Sequence, residues 1–195
     1  TGDGGYIIAG FTDSYGSGGS DAWLIKTDSA GNELWNRTFG GPKDDSANSV
    51  QLTSDGGYII AGFTDSFSLG GSDAWLIKTD SAGNELWNRT FGGPKDDSAN
   101  SVQLTSDGDY TIAGYTGSYG TGNNNAWLFK TDANGSMLWE KTFGWLNDNI
   151  TGGYVQKTTD GGYIITGKGE REVWLIKTDS AGNKLWEKIF DWIPG

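Results

Sequence analysis

The chain has 195 residues, and its 14 Lys and Arg against 25 Asp and Glu give a net charge of −11. This balance argues against nucleic-acid and anionic-membrane ligands, because neutralising phosphates requires clustered basic side chains. The chain has no Cys, which excludes disulfides and thiol nucleophiles, and no His, the commonest general base and metal ligand. No apolar run approaches the roughly 18 residues of a membrane-spanning helix.

A repeat with a period of 52 residues organises the chain. The copies are residues 3–54, 55–106, 107–159 and 160–195, and the first two are identical except at three consecutive positions. The differences are Tyr15/Phe67, Gly16/Ser68 and Ser17/Leu69. A fixed period of this size predicts a stacked or radial array. We therefore expect residues 1–195 to form a single domain.

Each copy is predicted to contain four short strands, A to D, separated by glycine-containing turns. Chain order starts at strand B, as in residues 57–64, followed by strand C at 74–79 and strand D at Glu85–Phe91. Strand A, at 98–105, then opens the next copy. Ile, Tyr, Phe, Trp and Thr dominate these runs, and no helical periodicity is present.

Strands B and C are apolar at consecutive positions, as in the runs Tyr-Ile-Ile-Ala and Trp-Leu-Ile. Successive side chains of a strand point to opposite faces, so both faces must be buried. Four-stranded sheets stacked face to face around an axis provide that burial. The sequence therefore predicts an all-β propeller of four antiparallel blades.

Two tryptophans, twelve residues apart, recur in every copy. We expect these rings to fill the spaces between blades, since a single blade cannot bury its own faces. They are Trp23, Trp35, Trp75, Trp87, Trp127, Trp139, Trp174 and Trp186.

The segment KTDSAGNELW resembles the tryptophan-docking repeat of quinoprotein-type (PQQ-like) propellers, in which an Asp, a Gly and a Trp close each blade. The whole unit also resembles repeats of secreted and surface-anchored archaeal and bacterial proteins. The resemblance covers essentially the whole chain and implies the fold. The cofactor-binding residues of quinoprotein dehydrogenases have no counterpart here, so no PQQ enzyme is implied and no cofactor is expected.

Ring closure has three alternatives. The first copy contributes three strands and the others four each, which gives 15 strands with one inner strand missing. The chain can close as a four-bladed ring, form half of an eight-bladed homodimer through its blade edges, or be part of a longer propeller. An uncovered inner edge is a site for pairing with another strand.

Variation between copies is concentrated in the B–C and D–A loops, which share one end of a propeller. We expect this end to recognise a ligand, since the opposite end carries nearly invariant turns. The exposed aromatic candidates are Tyr15, Phe67, Tyr119, Trp145 and Tyr154. Rings that merely cap the blade ends are the structural alternative.

Acidic residues cluster at the same end, and calcium prefers six to eight oxygen ligands. The candidate calcium ligands are Asp44, Asp45, Asp96 and Asp97. Solvated turn residues explain the same pattern, because no known calcium-loop spacing is present.

The repeated pattern favours a non-enzymatic module of a secreted or cell-surface protein that binds a protein or carbohydrate partner or promotes assembly. No catalytic residue is assigned. The alternative is a polysaccharide hydrolase or lyase with its site at the propeller channel. Near-identical blades favour the first function, because catalysis requires one asymmetric arrangement of groups.

Overall fold

The computed structural model describes residues 1–121, 123–144, 151–169 and 172–191, with only the backbone of residues 151, 152 and 191. These residues form fifteen β-strands and contain no helix, so the described part of the chain has no segment able to cross a membrane as a helix. The strands are β1 (Tyr6–Thr12), β2 (Asp21–Thr27), β3 (Glu33–Phe39), β4 (Asp45–Leu52), β5 (Tyr58–Thr64), β6 (Asp73–Thr79), β7 (Glu85–Phe91), β8 (Asp97–Leu104), β9 (Tyr110–Thr116), β10 (Asn125–Thr131), β11 (Met137–Phe143), β12 (Thr151–Lys157), β13 (Tyr163–Lys168), β14 (Glu172–Thr178) and β15 (Lys184–Asp191).

Four antiparallel sheets follow one another along the chain, and we call them blades 1 to 4. Blade 1 has three strands, β1-β2-β3, whereas blades 2, 3 and 4 have four each, β4 to β7, β8 to β11 and β12 to β15. Strands adjacent in a blade are adjacent in sequence, so every blade is a simple meander.

The predicted strands are confirmed, with shifts of one residue at some ends. The inner strand of blade 3 covers 97–104 rather than 98–105, because the backbone N–H of Thr105 already bonds the turn carbonyl of Asp109. Strand B begins at Tyr58 rather than 57, since Gly57 accepts the turn hydrogen bond from Thr53. Strand C begins at Asp73 rather than 74, because Asp73 pairs with Thr64.

The core lies between the blades. One apolar cluster joins blades 1 and 2, a second joins blades 2 and 3, and a third joins blades 3 and 4. The largest fully buried rings are Trp75, Trp127, Trp174 and Phe129. The facing surfaces of blades 1 and 2, 2 and 3, and 3 and 4 are therefore shielded from water, as the doubly apolar strands predicted.

Residues of all four blades line one cavity of about 690 Å³, among them Gly10, Ala47, Asn100 and Gly167. The blades therefore surround a common axis, with their first strands innermost. This arrangement agrees with a four-bladed ring.

The outer-strand tryptophans dock on the following blade. Trp35 lies beside Gly83, Trp87 beside Gly135 and Trp139 beside Gly182, and each glycine has a positive φ in the turn between strands C and D. This contact is not made between blades 4 and 1. Trp186 is 43% exposed, and a Cβ on Gly31 would have no atom within 4 Å. Trp186 thus differs from the predicted role of a ring packed between blades.

Candidate functional site

The meander places the B–C and D–A loops at one end of the ring, which we call the loop end. The A–B and C–D turns lie at the opposite, turn end. The loop end carries the sequence differences between the first two copies, so the candidate ligand contacts lie there.

Three aromatic side chains form a repeated feature of the loop end. Tyr15, Phe67 and Tyr119 are exposed, and each packs against the strand C tryptophan of its own blade. The ring centroids are 6.1 Å apart for Tyr15 and Trp23, 5.6 Å for Phe67 and Trp75, and 5.8 Å for Tyr119 and Trp127. Each ring therefore has one face supported by the blade. We call these three rings the aromatic rim.

The rim is held by hydrogen bonds from loop to strand. Asp21 Oδ2 accepts a bond of 2.8 Å from Ser17 N, and Asp73 Oδ2 accepts one of 3.3 Å from Leu69 N. In blade 3, Asn125 Nδ2 donates to the carbonyl of Tyr119 at 3.0 Å. The first residue of strand C thus anchors the loop that presents the ring.

The rim is not uniform around the axis. Next to Phe67, the side chain of Leu69 is 97% exposed, whereas blade 1 has Ser17 at the equivalent position. Because of this difference, the part of the rim in blade 2 can bind a ligand with a different affinity from the part in blade 1.

The predicted calcium ligands lie at the loop end but already accept hydrogen bonds. Asp45 is buried and accepts bonds from Thr64 Oγ1, from Ser66 Oγ at 2.6 Å and from Gly41 N at 2.8 Å. Asp44 Oδ1 accepts a bond of 3.0 Å from Ser20 N. Asp97 and Asp96 repeat these two roles in the next blade.

Among the described residues, no three His, Cys, Asp or Glu side chains converge in a metal-binding arrangement. Calcium binding at Asp44, Asp45, Asp96 and Asp97 stays a prediction. A rise in melting temperature on adding calcium, reversed by a chelator, would support it, and an unchanged melting curve would contradict it.

Among the described residues, Asp65 and Asp73 each have a buried carboxylate oxygen without a hydrogen-bond partner, and Asp73 is the more deeply buried of the two. Asp73 Oδ1 has no hydrogen-bond partner, and the side chain lies close to Asp97, since a Cβ on Gly92 would stand 2.2 Å from Asp73 Oδ1 and 2.7 Å from Asp97 Oδ2. Burial raises the pKa of Asp73, and the negative charge of Asp97 raises it further. The equivalent position in blade 3 is Asn125, which carries no charge.

Tyr154 lies apart from the aromatic rim. Its side chain is exposed and lines the 690 Å³ cavity together with Phe11, Asn48, Lys168 and Val173. Trp145, the remaining aromatic candidate, lies outside the described residues.

Polar side chains of the inner strands β4 and β8 contribute to a second cavity. Ser49, Gln51, Ser101 and Gln103 line this cavity of about 340 Å³. Asn48 Nδ2, at a bulge of β4, donates a bond of 3.1 Å to the carbonyl of Ala99 in the next blade. These bulges were not predicted, although the pattern Ala-Asn-Ser within an otherwise regular strand A could have indicated them.

The turn end is held by a lysine that the sequence analysis also missed. Lys78 Nζ is nearly buried and lies 2.9 Å from Asp55 Oδ2 and 2.9 Å from the carbonyl of Thr79. The hydrogen bonds from Lys78 and Thr53 lower the pKa of Asp55 to about 2. The equivalent pairs, which repeat this ion pair in the other blades, are Lys26–Asp3, Lys130–Asp107 and Lys177–Asp160. The recurrence of Lys-Thr at the end of strand C and of Asp-Gly in the A–B turn of every copy was the available signal.

The indole N–H groups are satisfied unequally. Trp75 Nε1 donates to Asn88 Oδ1 at 3.3 Å, and Trp127 Nε1 donates to Glu140 Oε2 at 2.8 Å. The buried Nε1 atoms of Trp23 and Trp174 have no protein partner. Strand C tryptophans therefore act through apolar packing in all four blades and through hydrogen bonds in two.

Comparison with known proteins supports the fold. The chain is similar to a protein of unknown function from Bacteroides caccae, with a TM-score of 0.59 and 14% identity over 94% of this chain and 57% of that one. It is also similar to the propeller of Dos1, with a TM-score of 0.53 and 16% identity over 88% of this chain and 44% of that one. At this level of identity the likeness establishes the β-propeller fold alone.

In sequence the chain is similar to the regulatory protein FlaEY of Caulobacter vibrioides, which is 30% identical over 173 residues. The alignment covers 74% of this chain but 18% of FlaEY, so the chain corresponds to a small part of that protein's length. No family model matches the chain. The class defined by fold and comparison is a β-propeller with repeated blades.

Proposed function

We propose that the chain is a non-catalytic β-propeller module of a secreted or cell-surface protein, and that its loop end binds a protein or carbohydrate partner. The observation that carries the proposal is the aromatic rim. Three exposed rings stand at the same end of successive blades, and each is supported by a tryptophan.

Supported rings are suited to recognition because little side-chain freedom remains to be lost on binding. An aromatic ring also offers a flat apolar face and, in tyrosine, a polar tip. Tyr119 Oη donates a bond of 2.5 Å to the carbonyl of Gly92, which fixes this ring in the unbound protein. Both sugar rings and apolar side chains of a protein partner can stack on such faces.

Accessible glycosylation sequences are compatible with a surface location. Asn36 and Asn134 each begin an Asn-X-Ser/Thr sequence and are exposed. Asn36 lies on an outer strand, where a glycan has room outside the ring.

A glycan array and a panel of extracellular proteins test the proposal, with the triple variant Tyr15→Ala, Phe67→Ala, Tyr119→Ala as the binding-site mutant. The matched control is Leu138→Ala, which removes an exposed apolar side chain from the outer strand of blade 3. We expect a ligand of the wild type to be lost in the triple variant and retained in the control.

Equal binding by the triple variant would contradict a role for the rim. The same ligands should be incubated with the wild type and analysed for cleavage. Cleavage of a polysaccharide would contradict a non-catalytic binding module and support the alternative function, a polysaccharide hydrolase or lyase.

A further inference from the structure

The two ends of the propeller differ in how their acidic side chains are compensated. At the turn end, the Asp of each A–B turn forms an ion pair with a Lys of strand C, as in the Lys78–Asp55 pair at 2.9 Å. The outer strands add basic groups to this end. Hydrogen bonds from Asn84 lower the pKa of Asp80, and the nearby charge of Arg37 from the preceding blade lowers it further. The acidic groups of the turn end are therefore accompanied by basic side chains.

The loop end of blades 1 to 3 is acidic and is not compensated in this way. Its described residues include eight aspartates against two lysines, Lys43 and Lys95. The aspartates are Asp13, Asp21, Asp44, Asp45, Asp65, Asp73, Asp96 and Asp97. The ion pairs formed between described residues all use other carboxylates, so none of the eight is neutralised by a neighbouring basic side chain in that part of the chain. Negative charge is thus concentrated at the end that carries the aromatic rim.

Two of these carboxylates border the blade 2 part of the rim. Asp65 lies two residues before Phe67 in the same loop, and its Oδ1 is buried without a hydrogen-bond partner. Asp96 is exposed, and its Oδ1 accepts a bond of 3.1 Å from Ser72 N at the other end of this loop. The exposed ring of Phe67 therefore has a carboxylate near each end of the loop that presents it.

The ring of Tyr119 in blade 3 stands in the same negative environment. Its hydroxyl donates to the carbonyl of Gly92, and Asp73 Oδ1, buried and without a partner, lies 2.2 Å from the Cβ position of that glycine. Burial raises the pKa of this phenol, and the charges of Glu140, Asp97 and Asp73 raise it further. Blades 2 and 3, each of which has a blade on both sides, thus combine supported ring faces with uncompensated negative charge.

We propose that the partner of the aromatic rim is a basic protein segment whose Arg side chains stack on Phe67 and Tyr119. Asp65 and Asp96 accept hydrogen bonds from the same guanidinium groups. Cations are attracted to the faces of aromatic rings, and hydrogen bonds between guanidinium and carboxylate are among the strongest in proteins. The summed charge of the loop end also attracts such a segment and accelerates its approach. This inference rests on the proposed function, because it names the class of partner that the rim binds.

The probe is a fluorescently labelled peptide in which Arg alternates with Gly, and fluorescence anisotropy reports its binding to the purified chain. The matched peptide has citrulline in place of each Arg, which keeps the size of the side chain and removes its charge. A salt concentration of about 0.15 M screens distant exposed charges, and a chelator keeps calcium from the carboxylates. We expect the citrulline peptide to bind at least roughly tenfold more weakly than the Arg peptide.

The decisive variant combines Asp65→Asn with Asp96→Asn, the two positions that border Phe67. Each amide has the size of the carboxylate that it replaces, so the loop should keep its conformation while losing two charges. We expect the affinity for the Arg peptide to fall at least roughly tenfold. The matched control combines Glu33→Gln with Glu85→Gln, which removes the same charge from exposed residues at the turn end and should leave the affinity unchanged.

Phe67→Leu tests the ring separately from the charge. It keeps an apolar side chain but removes the aromatic face, so the Arg peptide should bind more weakly although all carboxylates remain. Melting curves of all variants show whether each is folded. Unchanged affinity in a folded Phe67→Leu variant would contradict stacking on this ring.

Two peptide results would overturn the inference and leave the proposed function in place. One is equal affinity for the Arg and citrulline peptides, and the other is full affinity in the variant of Asp65 and Asp96. Absence of Arg peptide binding, together with a neutral or acidic ligand from the glycan array or the protein panel, would do the same. If neither the peptide nor any ligand of the array or panel binds, the proposed function fails as well.

Discussion

Trp87 on the outer strand of blade 2 lies so close to Gly135 of blade 3 that a Cβ on this glycine would stand 2.9 Å from Trp87 Cζ3. The two residues are on different repeats, so their contact holds neighbouring blades in a fixed relation. The same contact is absent at Gly31. A substitution at Gly31 is therefore the control for a substitution at Gly135.

Replacement of Gly135 by Ala should destabilise the chain more than replacement of Gly31. Both glycines have a positive φ, 81° and 84°, so both alanines carry a backbone penalty of about 1–2 kcal/mol. At Gly135 the methyl group also displaces the indole, which adds about 1–3 kcal/mol. Urea unfolding midpoints measure the difference. Equal losses would show that the docking contact contributes nothing.

Trp75→Ala should cost about 3–5 kcal/mol, as expected for a large ring removed from a packed interior. Trp23→Ala should cost less, because the equivalent face of blade 1 is not fully covered and this ring is only half-buried. Thermal and urea unfolding of both variants provide the test. A larger loss for Trp23 would place a covering element over blade 1 in solution.

Asp55→Asn should lower the stability of the chain by about 1–3 kcal/mol at pH 7, because the nearly buried Lys78 loses its charged partner. The lowered pKa of Asp55, about 2, fixes the sign of the pH dependence. Its contribution is complete above the ordinary value of 3.8 and is lost as the pH falls toward 2. Unfolding midpoints from pH 5 to pH 2 should therefore fall less steeply in the variant.

The control for Asp55 is Glu187→Gln, which removes the more exposed ion pair with Lys184. An ion pair accessible to solvent contributes little, so the change should stay below about 1 kcal/mol. If the two variants lost the same stability, the buried lysine would have no special role.

Asp73→Asn should leave the chain at least as stable as the wild type at pH 7. Asp73 is buried beside Asp97 with one oxygen unpartnered, and blade 3 already uses Asn at this position. Because the pKa of Asp73 is raised, the native state binds its proton more tightly than the unfolded chain does. Wild-type stability therefore falls as the pH rises through this pKa, and the variant lacks that fall. A clear loss at pH 7 would indicate that the charged form has a function, such as cation binding.

Much of the fold could be predicted from the sequence because the same pattern of strands and turns recurs in each repeat. Consecutive apolar residues around Trp75 required two buried faces, and glycine turns such as the one at Gly83 marked the strand ends. The exact repetition also hid information. Gly10 and Gly62 occupy the same position of two identical strands, yet a Cβ on Gly10 would meet open space whereas one on Gly62 would meet β4. The strand sequence is the same, and the difference lies in the neighbouring strand.

The candidate site was only partly predictable. Loop variation located Tyr15, Phe67 and Tyr119 at one end, since the turns at the other end hardly vary. Their support by tryptophans depends on loop conformation, which hydrogen bonds to Asp21 and Asp73 determine. The two roles of Asp45, as a buried charge and as an anchor of two loops, likewise arise from tertiary packing, which composition does not encode.

The docking of each outer tryptophan on the next turn glycine has an evolutionary consequence. Every joint is made from parts that a single repeat unit carries, a ring on one side and a glycine on the other. Gene duplication of one unit therefore inserts a complete joint without requiring compensating mutations elsewhere. Lineages bearing this repeat can change the number of blades by unequal recombination while each existing seam between blades keeps its chemistry.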